Sequence, residues 1–298
     1  MKNAPVINLE RCNLCGKCVR DCPREVLAIK DKKVITRDRA ECMFCCHCYS
    51  ICPEDAVLFD TDILKACVFS TFVNDGKQLN ADKIDPSAVI NAIRSRRSVR
   101  KFKDRELSKE TLSDLVEFAA TAPSGTNMKN WEFTVVNGRG RVSELAGLIR
   151  NFYSGLNRMA RNPALRLLLD PFVGGKLSKY YKGRLARVDY MLKQNERGRD
   201  LFLWNAPAVI VIHSGGVGST PHEDAQYAAY NILIMAHTLG IGTCFIGYAT
   251  EALNRDEKIR QFLGIPAGNK VHIVMIAGYS SAEYCRLPLT KKVKVNWI

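Results

Sequence analysis

Eight cysteines between positions 12 and 53 repeat one pattern twice: Cys12, Cys15, Cys18, Cys22-Pro23, then Cys42, Cys45, Cys48, Cys52-Pro53. A 4Fe-4S cube needs four thiolates arriving from four directions, and a tight C-x2-C-x2-C loop can wrap only three of its corners. The fourth thiolate must come from elsewhere in the chain. Two rival chemistries also use clustered cysteines. A secreted disulfide framework would follow an apolar leader, and Met1 to Glu10 has no such run. Structural zinc wants two C-x2-C pairs across a longer loop, not two runs of four each closed by Pro. Two 4Fe-4S clusters are the expected cofactors of this stretch.

The stretch also repeats internally: Cys22-Pro23-Arg24-Glu25-Val26-Leu27-Ala28-Ile29 matches Cys52-Pro53-Glu54-Asp55-Ala56-Val57-Leu58-Phe59 in kind. Each half should be a cysteine loop, a short helical turn and a strand, related by a pseudo-twofold axis. Over about the first sixty residues the chain closely resembles the dicluster ferredoxins. In that two-cluster arrangement the Cys of each Cys-Pro pair crosses to the other cluster. One cube then takes Cys12, Cys15, Cys18 and Cys52, and the other Cys42, Cys45, Cys48 and Cys22, leaving Cys46, Cys67, Cys244 and Cys285 outside the ligand set.

A second stretch that could do chemistry is Arg94-Ser95-Arg96-Arg97-Ser98-Val99-Arg100-Lys101-Phe102. Cations this close repel one another unless they are solvated or meet an anion, so the run reads either as an exposed basic loop or as a phosphate site. The third is Ala122-Pro123-Ser124-Gly125-Thr126-Asn127, small and hydrogen-bonding throughout.

Regular elements must position these stretches. Asp85-Pro86 starts a helix with Val89, Ile90 and Ile93 on one face. A second helix runs from about Lys109 to Ala120 with Leu112, Leu115, Val116 and Ala119 as its buried stripe. Trp131 to Asn137 reads as a strand, Val142 to Arg150 as a helix, and Asn151 to Arg199 as helix-rich with breaks at Asn162-Pro163, Asp170-Pro171 and Gly174-Gly175. Pro207 to His213 is a buried strand ending in a hydrogen-bonded histidine. Gly215-Gly216-Val217-Gly218-Ser219 is a mobile loop that lacks the order of a nucleotide motif. Asp224 to Leu239 is the most apolar helix, closed by Gly240; strands Gly242 to Gly247 and Val271 to Ile276 follow, with Cys244 a small core residue. Before all of these, Asp60 to Lys83 reads as a linker with one short strand and a turn at Asn74-Asp75-Gly76.

Arg96 to Phe102, then Ala122 to Asn127, then Trp131-Glu132-Phe133 resemble the opening of the FMN-dependent nitroreductase superfamily, and the similarity continues over 85–298. The resemblance implies that Arg96, Arg97, Ser98 and Arg100 hold the FMN phosphate and ribityl chain. It implies that Pro123, Ser124, Gly125 and Asn127 border the flavin ring, commonly from the other subunit of a dimer, and that Phe245, Ile246 and Gly247 pass the ring. Lys291 and Lys292 stand near the family's C-terminal phosphate contacts. Insertions at 151–200 form a lid in the family, for which Tyr153, Phe172, Tyr180 and Tyr181 are candidate aromatics. Lys129-Asn130-Trp131 departs from the usual Gln-Pro-Trp; Lys129 either favours an anionic reduced flavin by charge attraction or points outward.

At 298 residues the chain is too long for a ferredoxin alone. The expected class is α+β: a ferredoxin-like dicluster domain over 1–62, a linker over 63–84, and a nitroreductase-like flavin domain over 85–298, with an antiparallel-rich sheet flanked by helices and built as an intertwined homodimer. No apolar run approaches a membrane span, so a soluble, cytoplasmic protein with no membrane partner is expected. The net charge of +14 is concentrated at 139–199, where fourteen Lys/Arg face four Asp/Glu. It comes with no nucleic-acid motif, and anionic cofactors offset part of it.

The expected function is an FMN and iron–sulfur oxidoreductase. Electrons pass from a one-electron donor, reduced ferredoxin or a similar acidic carrier, through the clusters to FMN and on to a small organic acceptor of nitroaromatic or quinone type. A reductive dehalogenase, an enone reductase and a non-catalytic electron carrier are the alternatives.

Overall fold

A computed structural model describes residues 4–61, 64–74, 76–216 and 218–298. Asp75 of the expected turn and Val217 of the expected loop lie outside the described residues. The chain divides into two compact units, one of residues 1–68 with 123–129, the other of 69–122 with 130–298.

In the first unit the order is β1 (Val6–Ile7), α1 (Lys17–Arg20), β2 (Leu27–Lys30), β3 (Lys33–Thr36), α2 (His47–Ser50) and β4 (Val57–Leu58). β1 pairs antiparallel with β4 and β2 with β3. The two-residue turn of the second pair, Asp31-Lys32, has φ of 48° and 57°, the left-handed pair that matches strand twist in a tight hairpin. The sequence repeat is written into the backbone. Leu14 and Phe44, Gly16 and Cys46, and Glu25 and Asp55 are all left-handed, each pair thirty residues apart. The amide of Val26 donates to Cys22 Sγ and that of Ala56 to Cys52 Sγ, both at 3.3 Å. The apolar core is small, formed by Leu27, Val34 and Val57 with Cys18 and Cys48.

The second unit holds a four-stranded antiparallel sheet in the order β5 (Glu132–Asn137), β6 (Ala208–Ser214), β8 (Lys270–Tyr279), β7 (Ile241–Phe245). Around it lie α3 (Pro86–Ser95), α4 (Lys109–Ala119), α5 (Arg139–Arg161), α6 (Pro163–Leu169), α7 (Lys176–Gly183), α8 (Leu185–Glu196), α9 (Pro221–Thr238), α10 (Gly247–Leu253) and α11 (Glu257–Leu263). β6 is buried along its whole length because helices cover both faces of the sheet. Val209 and Val211 pack with residues of α5, α10 and α11, while Ala208, Ile210 and Ile212 pack with α4 and α9. Truncating Ile210 to Ala would cost about 2–5 kcal/mol, as for other fully buried isoleucines.

Local signals fixed several helix ends. Asp85 caps α3 by accepting from the amides of Ser87 and Ala88, with Pro86 at the first position. Gly240 (φ 71°) follows α9 and Gly264 (φ 66°) closes α11. α3 carries Val89, Ile90 and Ile93 on one face as expected, but that face is not covered in the single chain.

The structure differs from expectation elsewhere. α5 does not stop at Arg150; Ile149, Tyr153, Asn157 and Ala160 continue its buried stripe until Asn162-Pro163, where Asn162 accepts from the amides of Ala164 and Leu165 and starts α6. Of the four lid aromatics, Tyr153 and Tyr180 are core residues. Tyr153 stacks on Phe202 and donates to the Tyr248 carbonyl at 2.9 Å. Phe172 and Tyr181 are exposed. Between Asp60 and Lys83 the described residues contain no strand. Instead Ser70 and Thr71 donate backbone and hydroxyl hydrogens to the buried Asp114 of α4, and Phe69 packs on Phe72 and Phe118. These bonds hold the Asp114 carboxyl below the usual range against the opposing effect of its burial. Among the described residues no helix is long and apolar enough to cross a membrane.

Candidate functional site

The cysteines stand around two small cavities of the first unit. Cys12, Cys15, Cys18 and Cys52 line one; Cys42, Cys45, Cys48 and Cys22 line the other, together with Cys46. Each short helix, α1 and α2, carries the third cysteine of its run inward, and the left-handed residues before it turn the loop tightly enough to present the first two. In each half the fourth cysteine of the run lines the cavity of the other half. The thiols crowd one another. Burial, then Cys12, Cys52 and Cys15, push the Cys18 thiol up; burial, together with Cys22, Cys42 and Cys45, pushes Cys48 up to about 12. Iron in such a cavity would reverse this, since cations stabilise thiolates. Among the described residues no group of His, Cys, Asp and Glu forms a site for a single ion. Four thiols of the repeated motif line each space, the donor set that a cube with iron at separate corners requires. The amides on Cys22 Sγ and Cys52 Sγ suit negatively charged thiolates.

Cys46 takes the place that Gly16 holds in the first half. Its Sγ donates to the Phe44 carbonyl, and its thiol is raised mainly by burial. Asn127 is likewise engaged: its amide donates to the carbonyls of Met43 (3.0 Å) and Phe44 (2.9 Å) in the second cysteine loop. Its neighbour Ser124 accepts from the Lys129 amide, and Gly125 begins a single helical turn through Asn127. Thus the Pro123 to Asn127 stretch groups with the cysteine unit.

The arginine motif leaves α3 and runs beside β7. The amide of Val99 donates to the Thr243 carbonyl, and Ser98 forms a bridge with Thr243. This course separates the motif's side chains. Arg96 and Arg97 line a shallow cavity with His237, Thr243, Ser280 and Tyr284. Arg97 donates to the carbonyls of Arg94, Ser95 and Arg96, capping the end of α3, and lies 5.5 Å from the Tyr284 ring centre. Beside them the buried Thr243 hydroxyl has no partner. Two guanidinium groups and an orphaned hydroxyl are a donor set that fits a phosphate. His237 bonds Ser95 at 2.7 Å and is held below its ordinary value by burial and then by Arg96 and Arg97.

Arg100 faces a different and larger cavity of about 700 Å³, which Phe245, Ile246 and Gly247 also line. Its other walls are Phe202, Trp204 and Tyr248, with Arg184, Arg187 and Glu251. That volume and its aromatic walls fit a flavin ring with room for a second molecule. Sequence reasoning missed this second wall: Trp204 stands in no motif, and Arg184 and Arg187 were two among fourteen cations of the basic segment. Lys291 and Lys292 are exposed, in a tail without regular structure. His213 bonds Thr134 at 3.0 Å and Asn269 at 2.8 Å, the satisfied strand-end histidine expected. Cys244 is buried.

Residues 93–279 match the nitroreductase family, and residues 4–53 match the 4Fe-4S dicluster domain. The chain is 26% identical to the 4-nitrobenzoate reductase of Nocardioides sp., over 69% of this chain and 88% of that protein. Its N-terminal part is 42% identical to a ferredoxin of Methanothermococcus thermolithotrophicus, over 14% of this chain and 72% of that one. In fold it is similar to a nitroreductase with bound FMN from Desulfitobacterium hafniense (TM-score 0.50, 23% identity, 70% of this chain and 97% of that chain). The chain belongs to the nitroreductase family and carries a 4Fe-4S dicluster domain ahead of its flavoenzyme fold.

Proposed function

We propose that the chain is an FMN-dependent reductase fed one electron at a time through two 4Fe-4S clusters, with a reduced ferredoxin-type protein as donor and a nitroaromatic or quinone as acceptor. The observation that carries this reading is the presence, on one chain, of two four-cysteine cavities and a flavin-family fold with a 700 Å³ cavity. FMN, when bound, supplies storage for two electrons and their delivery as a pair. The chain's own residues bind and orient. Arg96, Arg97 and the Thr243 hydroxyl are suited to the phosphate. Arg100 and the Phe245–Gly247 backbone border the larger cavity, where Trp204 and Tyr248 offer flat faces to a ring. Reduction of a nitro group to nitroso takes two electrons and two protons and releases water, so each turnover needs two deliveries from a one-electron donor.

The uncovered face of Val89, Ile90 and Ile93 supports a homodimer, since apolar side chains on one helix face gain from a partner. The basic segment spread over α5 to α8 would steer an acidic carrier, an effect that weakens as salt shortens the screening length from about 10 Å at 0.1 M to about 3 Å at 1 M.

The test compares anaerobic turnover of nitroaromatic, quinone, haloaromatic and enone acceptors, driven by reduced ferredoxin or by NAD(P)H, in the parent and in Cys15→Ser. Ferredoxin should sustain the faster rate and the variant should lose it. Faster turnover with NAD(P)H, unchanged by loss of a cluster ligand, would sink the proposal.

A further inference from the structure

The two cysteine cavities come from one sequence repeat, yet their walls carry opposite charge. Thiols aside, Glu54 is the charged side chain that lines the first cavity among the described residues, whereas Arg24 and His47 line the second. Arg24 and Glu54 hold the same place in the two halves, each just beyond its Cys-Pro pair, Cys22-Pro23 and Cys52-Pro53. Because each of those cysteines lines the cavity of the other half, the repeat delivers the acidic residue to the first cavity and the basic one to the second.

Neighbouring groups do not cancel the contrast. Glu54 accepts from the Asn13 amide at 2.9 Å, a neutral partner that leaves the carboxylate's charge whole. Arg24 pairs with Glu41 at 3.2 Å, but Glu41 is not in the wall, so the guanidinium is the end of that pair that meets the cluster space. His47 stands 3.6 Å from Asp21. Arg20 bonds the Cys15 carbonyl at 3.2 Å from outside the first wall. On the second side the Lys129 ammonium is near enough to Cys46 to act on it electrostatically. With one such outlying cation on each loop, the difference that remains is Glu54 against Arg24.

We propose, resting on the function above, that Arg24 and Glu54 set the order in which the two clusters take up an electron. A reduced cluster carries one more negative charge than an oxidised one, which a guanidinium favours and a carboxylate opposes. The second site is then the better electron acceptor and the first the poorer. An electron that a ferredoxin-type donor delivers to the first site passes to the second, the first being reoxidised as the second is reduced, with no bond or proton changing place. The bonding of Asn127 agrees with that direction: it lies in the segment that joins α4 to β5, and the cysteine loop whose carbonyls it binds is the second.

The full-length holoprotein is titrated anaerobically with dithionite at controlled potential, and the reduced clusters are followed by electron paramagnetic resonance. The parent should reduce in two separate one-electron steps. Arg24→Gln should lower the upper step alone and Glu54→Gln should raise the lower step alone. Each shift should be roughly twofold to tenfold in the reduction equilibrium, about 20 to 60 mV for one electron. Arg24→Lys keeps the charge and should stay near the parent. Arg24 and Glu54 are both exposed, so these substitutions spare the core; should Arg24→Gln lose iron, Glu54→Gln decides. One unresolved step in the parent overturns the proposal, as do steps that neither substitution moves, or Arg24→Gln acting on the lower step. A shift in Arg24→Lys as large as in Arg24→Gln also overturns it, assigning the effect to the Glu41 contact. Turnover that runs faster on NAD(P)H and ignores Cys15→Ser sinks the function while these potentials stay ordered; a parent that cannot hold about eight iron overturns both.

Discussion

The crossed ligation of the two cubes can be decided by counting iron. The cavities pair Cys52 with the first cysteine loop and Cys22 with the second. A chain with two cubes holds about eight iron and eight sulfide, four of each per cube. Cys15→Ser removes a ligand from the first cube and Cys22→Ser one from the second, so each single variant should retain about four iron. The double variant separates the alternatives. If ligands cross, Cys15 and Cys22 serve different cubes and the double variant should hold essentially none. If each run of four held its own cube, both would belong to the same one and about four iron would remain.

The protein part of the same experiment follows from the size of the core. Leu27, Val34 and Val57 with Cys18 and Cys48, flanked by the part-buried Ile7, Val19 and Phe59, make a core too small to hold a domain of this length together without metal. The N-terminal unit of the double variant should therefore become sensitive to protease while 130–298 stays resistant. Iron and sulfide would be measured on anaerobically reconstituted, gel-filtered protein, with electron paramagnetic resonance of the reduced samples as a second count. About four iron in Cys15→Ser/Cys22→Ser would refute the crossed assignment, and loss of iron from Cys46→Ser would refute the exclusion of Cys46.

Three further outcomes are expected. Arg100→Ala should weaken flavin roughly tenfold or more with unchanged stability, whereas Arg97→Ala should also lower the urea midpoint by the equivalent of about 1 kcal/mol, because its guanidinium caps three carbonyls at the end of α3; equal, parent-like flavin retention in both would remove the motif's role. Gly242→Ala would set a Cβ 2.6 Å from Val99 Cβ and Cγ2, overpacking worth about 1–3 kcal/mol, and a parent-like urea midpoint would show that β7 and the arginine motif are not in register as described. His213, His237 and His272 are all held below the ordinary histidine value, chiefly by burial. The unfolded chain takes up protons near pH 6.5 where the folded chain does not, so stability should be complete above that pH and fall as pH drops below it; a midpoint unchanged between pH 7.5 and 5.5 would contradict this.

What the sequence determined by itself is local or periodic. Thiolate chemistry was legible because C-x2-C-x2-C places three ligands within one loop, and the repeat of thirty residues showed a second copy. Helix starts such as Asp85-Pro86 and stops such as Gly240 were legible because capping involves only near neighbours. The resemblance carried the family, but it treated the residues of each motif as one group.

The tertiary structure decided which members face the same space. Arg96 and Arg97, at the end of α3, line one cavity, and Arg100, past the residues that run beside β7, lines another. Tyr153 and Tyr180 proved to be core and not lid because α5 continues past Arg150, and its inward face is set by what packs against it. Asp114 gained its partners from Ser70 and Thr71, over forty residues away. Arg184 and Arg187 emerged from an undifferentiated basic segment only when α8 turned its N-terminus to a cavity that also holds Trp204. Charge along a chain records how many cations there are. Which of them face a given cavity depends on non-local contacts, and those exist only in the folded protein.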